Sequence, residues 1–298
     1  MPYGFPSGQG LLQMARDAGG GISRLVSHLS HEEQRQLPTF VEALSGTLDK
    51  SLDAMLETRS DVTALGKAFM ARALLNSERA AKIKTQEPEG AWYRELWAAI
   101  SARSLEEVAR NPLTIVTFNY DRSLEYSLIR ALHTRTQAPP VECAQALSPI
   151  GPIHLHGSLG PLPEQASKTE RLPLSVPYGG DGPGVTANNC ADAARSIRII
   201  HEAQPHDEAF ALARRVLSSA ERIVFLGFGY ARQNVERLQL LECANKNATM
   251  YLCARGFTAQ QQVAFIRPFF GPWGRDLRIG SEDQDIVEFL RHYPDALI

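Results

Sequence analysis

Four residue types in this chain have the chemistry to bind and cleave a polar, sugar-bearing ligand, and they recur at the ends of short apolar runs. Asn119 and Asp121 close LTIVTFNYD, His156 closes the run in GPIHLHGSLG, and Gly227 and Gly229 follow RIVFLG in FLGFGYARQN. An amide, an acid and an imidazole supply donors, acceptors and a base. Paired glycines let a phosphate-bearing ligand approach the backbone. Each part also has a plainer reading: Asn119 and Asp121 as turn and cap residues, Gly227 and Gly229 as packing glycines. His154 shares a strand face with His156, so only one of the two need act on a ligand.

These residues must be positioned by strands and helices. The apolar runs LTIVTF, PIHLH, RIVFLG, TMYLC and DLRIG read as short buried strands, and SLEYSLIRALH, HDEAFALARRVLSSAE and SEDQDIVEFLRHY read as helices between or after them. The alternation predicts an α/β fold, a Rossmann-like doubly wound and mostly parallel sheet, whose strand tips gather at one edge where ligands bind. Residues 22–110 read as a mainly helical insertion through LSHEEQRQL, SLDAMLE, ALGKAFMARALLNSERAAKI and WYRELWAAI, with a helix start at Ser30 followed by His31, Glu32 and Glu33. Trp92, Tyr93 and Trp97 read as packing residues. Residues 112–298 form the sheet-bearing part, with an irregular Pro- and Gly-rich excursion over 161–189. No repeat or linker divides the chain, so residues 1–298 are read as a single domain.

Composition narrows the function classes. A formal net charge of −2 and a pI near 6.5 give no bulk positive field for nucleic acid, so no direct nucleic-acid binding is expected. No apolar run approaches the ~20 residues of a membrane span, and the opening residues have neither a basic n-region nor an apolar h-region, so the expectation is a cytoplasmic protein. The four cysteines, Cys143, Cys190, Cys243 and Cys253, form no CxxC pair, which argues against a zinc module and a disulfide framework. They are expected to be inert and mostly buried.

Taken together the motifs resemble the sirtuin family, and more closely its bacterial sirtuin-like branch that hydrolyses NAD. The T-x-N-x-D signature is present as Thr117, Asn119 and Asp121, the His-Gly-Ser signature as His156, Gly157 and Ser158, in family order, and the similar texture runs from residue 2 to about residue 240. The resemblance implies that His156 is the catalytic base beside the nicotinamide ribose. Asn119 would orient that ribose or the attacking water, and Asp121 would contact the nicotinamide carboxamide. It implies a cofactor-binding set of Thr117, Phe118, Gly157, Ser158, Gly227, Phe228, Gly229 and Asn234, with Pro6 and Ser7 at the rim. NAD is then the substrate, no metal is required, and anti-phage defence is the implied role, with a homo-oligomer or a defence-system protein as partner. A binding module for NAD or ADP-ribose and a protein ADP-ribosyltransferase are the alternatives.

Three departures shape that expectation. The missing CxxC pairs make protein deacylation a poor fit and leave water as the acceptor. The third tip reads GFG where many sirtuins have glycine followed by Ser or Thr. Finally, Met1 to Gly10, MPYGFPSGQG, reads as a tight loop with two prolines and three glycines. Sirtuin-like domains place a strand and a Gly-Ala-Gly-x-Ser loop ahead of such a segment, so two expectations stand: the first half of the pyrophosphate loop lies upstream of Met1, or the domain is a shortened one and the binding module gains over the hydrolase.

Overall fold

A computed structural model describes residues 5–18, 34–78, 92–100, 103–166, 175–179, 186–199, 202, 207–230, 232–270 and 276–297. The helix start expected at residues 30–33, the end of the helix expected to run to residue 83 and most of YGGDGPG lie outside these residues.

The first part is helical. Helix α1 (Gly8–Ala18) begins inside the stretch expected to be loop. The Ser7 hydroxyl accepts from the Gly10 amide at 3.1 Å, and Leu11, Leu12 and Ala15 bury the inner face. Capping and burial thus offset the poor helix propensity of Gly8 and Gly10. Helices α2 (Leu37–Gly46), α3 (Leu52–Thr58) and α4 (Thr63–Ser77) follow, α3 capped by the Ser51 hydroxyl, which accepts from the Ala54 amide at 3.2 Å. Helix α5 (Trp92–Ile100) carries the expected packing aromatics: Tyr93 is buried, Trp92 and Trp97 rest on the same core, and the Arg135 guanidinium lies 4.6 Å from the Trp97 ring centre. A short helix α6 (Leu105–Ala109) precedes the first strand.

The α/β part follows the expected alternation in shorter pieces. Strand β1 (Val116–Thr117) leads into α7 (Ser123–Thr136) and α8 (Pro140–Leu147), and β2 (Ile153–His154) pairs with β1 in parallel, Val116 beside Ile153 and Thr117 beside His154. Helices α9 (Ala187–Ser196) and α10 (Glu208–Ser219) lead to β3 (Arg222–Phe225), α11 (Arg232–Leu238), β4 (Thr249–Leu252), β5 (Leu277–Ile279) and α12 (Ile286–His292). Because α9 begins at Ala187, the excursion expected to end at Asn189 ends in a helix. Helix α12 is capped at its start: Asp285 accepts from the Glu288 amide, and Glu288 reaches back to the Asp285 amide.

The fold is α/β with small parallel sheets. The hydrogen-bonded strands form two sheets, β1–β2 and β3–β4–β5, where the sequence led us to expect one doubly wound sheet. Among the described residues β1 pairs with β2 and β3 with β4, and no ladder joins β1 to β3. Sheet β3–β4–β5 is covered on both faces: Ile223, Phe225, Met250 and Leu252 pack with Phe210, Ala213 and Leu217 of α10, and Tyr251 and Cys253 with Phe289 and Leu290 of α12. That two-sided burial explains why its strands read as unbroken apolar runs. Cys143, Cys190 and Cys253 are buried, Cys243 is half-buried, and all four are free thiols.

One buried ion pair fastens these parts together. Arg122, directly after TFNYD, and Glu78, at the end of α4, are both fully buried. Arg122 Nε and Nη2 donate to the two Glu78 carboxylate oxygens at 3.0 and 2.6 Å, and the remaining guanidinium N–H groups donate to the carbonyls of Gly160, Val176 and Pro177 at 3.1, 2.5 and 3.2 Å. All five donors of the fork are used. Glu78 also accepts the Arg122 and Gly179 amides, so its four acceptor positions are filled as well.

Removing one partner strands a buried charge. Arg122→Met is expected to lower the unfolding free energy by about 3–5 kcal/mol. The double variant Glu78→Met with Arg122→Met should recover only part of it, because three backbone carbonyls lose their donor. Urea unfolding of the three proteins checks both expectations.

Candidate functional site

Parallel pairing of β1 with β2 places their carboxyl ends side by side. Beyond β1, the Thr117 hydroxyl accepts from the Asn119 amide at 3.0 Å, which turns the chain sharply and leaves Asn119 exposed. The Tyr120 carbonyl accepts from the Leu159 amide at 3.1 Å and so ties this tip to the loop after β2. Asp121 is half-buried and accepts from the Ser123 amide at 3.2 Å at the entrance to α7. Burial, and after it the neighbouring Glu125 charge, hold the Asp121 carboxyl above the ordinary range.

Beyond β2, Gly157 has φ +70° and its peptide bridges antiparallel to Ile197. A Cβ there would lie 2.1 Å from the Ser196 carbonyl oxygen, so only glycine lets the segment after α9 pass beneath the loop. The Arg198 amide donates to the His156 carbonyl at 2.8 Å. The Ser158 hydroxyl accepts from the Gly160 amide at 3.2 Å and shapes the turn that delivers the Gly160 carbonyl to Arg122.

His156 is 5% exposed and sits among aromatic rings: Phe118 at 5.5 Å, Phe210 at 6.0 Å and Tyr120 at 6.5 Å between centroids. Its Nδ1 is buried and has no partner among the described residues. Burial first, and the Arg237 charge second, lower the imidazole to about 4 against an opposing contribution from the Arg198 backbone. The ring is therefore neutral at pH 7, with a nitrogen lone pair in a dry setting.

The third tip joins through the same rings. Phe228 packs 5.7 Å from Phe118, so His156, Phe118 and Phe228 form a continuous aromatic line across all three tips. On either side of Phe228, Gly227 and Gly229 adopt φ +60° and +67° and are exposed, and a Cβ on Gly229 would meet nothing within 4 Å. Asn234 is half-buried on α11, and no described contact ties it to this line.

The opening residues reach the site indirectly. Pro6 is half-buried and Ser7 exposed at the start of α1. A Cβ on Gly8 would lie 3.0 Å from the Ser51 Cβ and 3.6 Å from Asp53 Oδ2. Asp53 in turn accepts from the Tyr120 hydroxyl at 2.8 Å, and the Arg198 carbonyl lies 3.3 Å from the same hydroxyl. Burial leads the causes that raise both the Asp53 carboxyl and the Tyr120 hydroxyl.

Phe118, Asn119, His156, Gly157, Ser158, Gly227, Phe228 and Gly229 are thus brought to one region, with Thr117 and Asp121 shaping its first tip. Sequence reasoning missed Glu78, Arg122, Asp53, Glu125 and Arg198. Arg122 and Glu125 sit inside TFNYDRSLE, but no spacing links Glu78 to Arg122 across 44 positions. Among the described residues no group of three or more His, Cys, Asp or Glu side chains is arranged to hold a metal ion, and no helix is long and apolar enough to cross a membrane. Compared with protein-family models, curated proteins and solved structures, the chain matches none.

The depressed His156 sets a stability signature. Between pH 6.5 and about 4 the unfolded chain binds a proton on this side chain that the native protein does not, so stability falls as pH falls through that window. The loss is at most about 3.5 kcal/mol, from ~1.4 kcal/mol per pH unit. His156→Phe, which keeps an apolar ring in the same cage, should flatten that part of the difference curve when urea stability is measured at pH 4 to 7.

Proposed function

We propose that the chain is an NAD glycohydrolase that breaks the bond between nicotinamide and ribose and passes the ribose to water. The observation that carries the reading is His156: a desolvated, neutral imidazole with an unpartnered nitrogen, at the junction of strand tips that also present Asn119 and an open glycine turn. In this reading the two parallel sheets belong to one Rossmann-like arrangement. Its support is a shared core, in which Val116 and Ile153 from the first sheet pack with Ile223 and Phe225 from the second.

The chemistry suits that site. As the glycosidic C–N bond breaks, its electron pair stays with the pyridine nitrogen and the pyridinium leaves as neutral nicotinamide, while positive charge develops on the ribose. A leaving group that departs neutral needs no acid, so positioning and a base carry the reaction. Water adds its oxygen to the anomeric carbon, and its proton passes to the His156 ring. Asn119, exposed beside the ring, aligns the ribose or that water. Gly227 and Gly229 give the dinucleotide close backbone approach, and Asp121 meets the carboxamide as the sirtuin resemblance implies. With no CxxC zinc module, water is the acceptor in place of an acyl-lysine.

Purified protein is expected to release nicotinamide and ADP-ribose from NAD, and Asn119→Ala or His156→Ala to lower kcat at least about 100-fold. The acid limb of kcat against pH should lie nearer 4 than 6.5, because the base stays neutral into that range. Calorimetric NAD binding without nicotinamide release would overturn the reading in favour of a binding module. Transfer of label from NAD to protein would point to an ADP-ribosyltransferase.

A further inference from the structure

His154 ends β2 and His156 lies in the turn that follows it, so the strand face expected to carry both is not formed, and the surroundings of the two rings are opposite in kind. Its Nδ1 lies 2.7 Å from the Asn119 carbonyl oxygen, and its Nε2 lies 2.7 Å from Glu125 Oε1. A carbonyl oxygen only accepts, so Nδ1 must donate; a carboxylate only accepts, so Nε2 must donate as well. Both ring nitrogens therefore carry protons. The side chains of His154 and Glu125 are 12% and 6% exposed, so water scarcely screens the pair. The second Glu125 oxygen is buried without a partner among the described residues, which leaves the ring to answer the carboxylate charge.

The clamp acts on the residue that the proposed reaction needs most. Asn119 has its amide nitrogen fixed by the Thr117 hydroxyl and its carbonyl by His154, so both ends of its backbone are held while its side chain faces solvent. Without the second bond, the turn after Thr117 would rest on a single hydroxyl contact at this position.

We propose that His154 is a positioning residue of this site: a doubly protonated ring, gripped between Glu125 and the Asn119 carbonyl, that fixes the peptide from which the Asn119 side chain reaches the substrate. The role in turnover rests on the glycohydrolase reading; the clamp itself does not. The ionisable groups that face His154 are Glu125 from α7 and Asp121 from the tip of β1, and both favour its charged form. Burial works against that form, but with the Asn119 carbonyl they outweigh it, so the ring titrates above its ordinary range. The clamp is intact below ~pH 6.5 and is lost as pH rises through the raised value.

Histidine ring NMR on the whole wild-type chain over pH 5 to 9, with the signal assigned by its absence in His154→Gln, is expected to show His154 titrating above the ordinary imidazole range. Glu125→Gln keeps the shape and removes the charge; it should move that titration to lower pH and shift or broaden the Asn119 side-chain amide signals. In the nicotinamide-release assay the same variant should lower kcat about 10-fold or more with little change in KM. It should also move the alkaline limb of the pH profile to lower pH, which a purely structural loss would not do. A wild-type His154 that titrates at or below the ordinary imidazole range overturns the proposal. So does a Glu125→Gln pH profile that superimposes on the wild type, or an Asn119 amide that does not respond. If the wild type releases no nicotinamide, the glycohydrolase reading falls, and the clamp then stands or falls on the His154 and Asn119 signals alone.

Discussion

The buried Arg122–Glu78 pair is the constraint on which the rest of the site depends. Four separate pieces of chain meet at its two side chains: the end of α4 at Glu78, the start of α7 at Arg122, the loop after β2 at Gly160, and the Val176–Gly179 stretch of the excursion. Among the described residues none of these segments has a strand ladder to the others. A charge buried this deeply costs several kcal/mol unless every donor and acceptor is matched, and here five donors and four acceptor positions are. The same saturation specifies geometry, since a shift of any one segment leaves a buried polar group unpaired. Tyr178 reinforces the seam: its hydroxyl is 2.9 Å from that of Ser123, and its ring stacks on Tyr126 at 4.1 Å. Three residues before Arg122, Asn119 inherits a fixed chain path.

Above this anchor, two histidines two residues apart are driven in opposite directions by their neighbours. Burial works against the charged form of His154, but the acceptors around it raise the ring above its ordinary range; burial among rings lowers His156 to about 4. Strand β2 ends at His154, and a turn in which the His154 carbonyl accepts from the Gly157 amide at 3.4 Å carries His156 beyond it. One imidazole lies against Glu125 and the other among Phe118, Tyr120 and Phe210. On the glycohydrolase reading proposed above, a held Asn119 and an apolar setting for His156 are two conditions for a base of modest strength to act on a positioned substrate.

What was legible in the sequence is what depends on local pattern. The strand tips TFNYD, HLHG and GFG, the capped helix at Asp285, the packing aromatics of α5 and the buried cysteines all follow from spacing within one segment. What was not legible depends on partners far along the chain. The sheet division illustrates this: β1 and β2 are two residues long, and nothing in so short a run states which strand it pairs with. The start of α1 was misread because proline and glycine signal a loop, whereas the Ser7 cap and the buried Leu11 and Leu12 override them. The sequence spacing of His154 and His156 carried no sign of which ring is bound on both sides, because Glu125 and Asn119 approach from a different segment.

The aromatic line from His156 through Phe118 to Phe228 has an asymmetry that bears on how such a site would work. Behind the line lies the apolar cluster of Phe210, Phe225, Tyr230 and Phe270, which excludes water. In front of it Asn119, Gly227 and Gly229 are exposed. His156 itself is only 5% exposed, and its neutrality follows from that burial. A dinucleotide laid against the open glycines would complete the enclosure itself. Positive charge developing on its ribose would then form in a medium of low dielectric, where the few oriented groups nearby count for more than they do in water. The hydrogen bonds that hold the Asn119 backbone are already made, so on the proposed reading little reorganisation would remain for the moment of bond breaking.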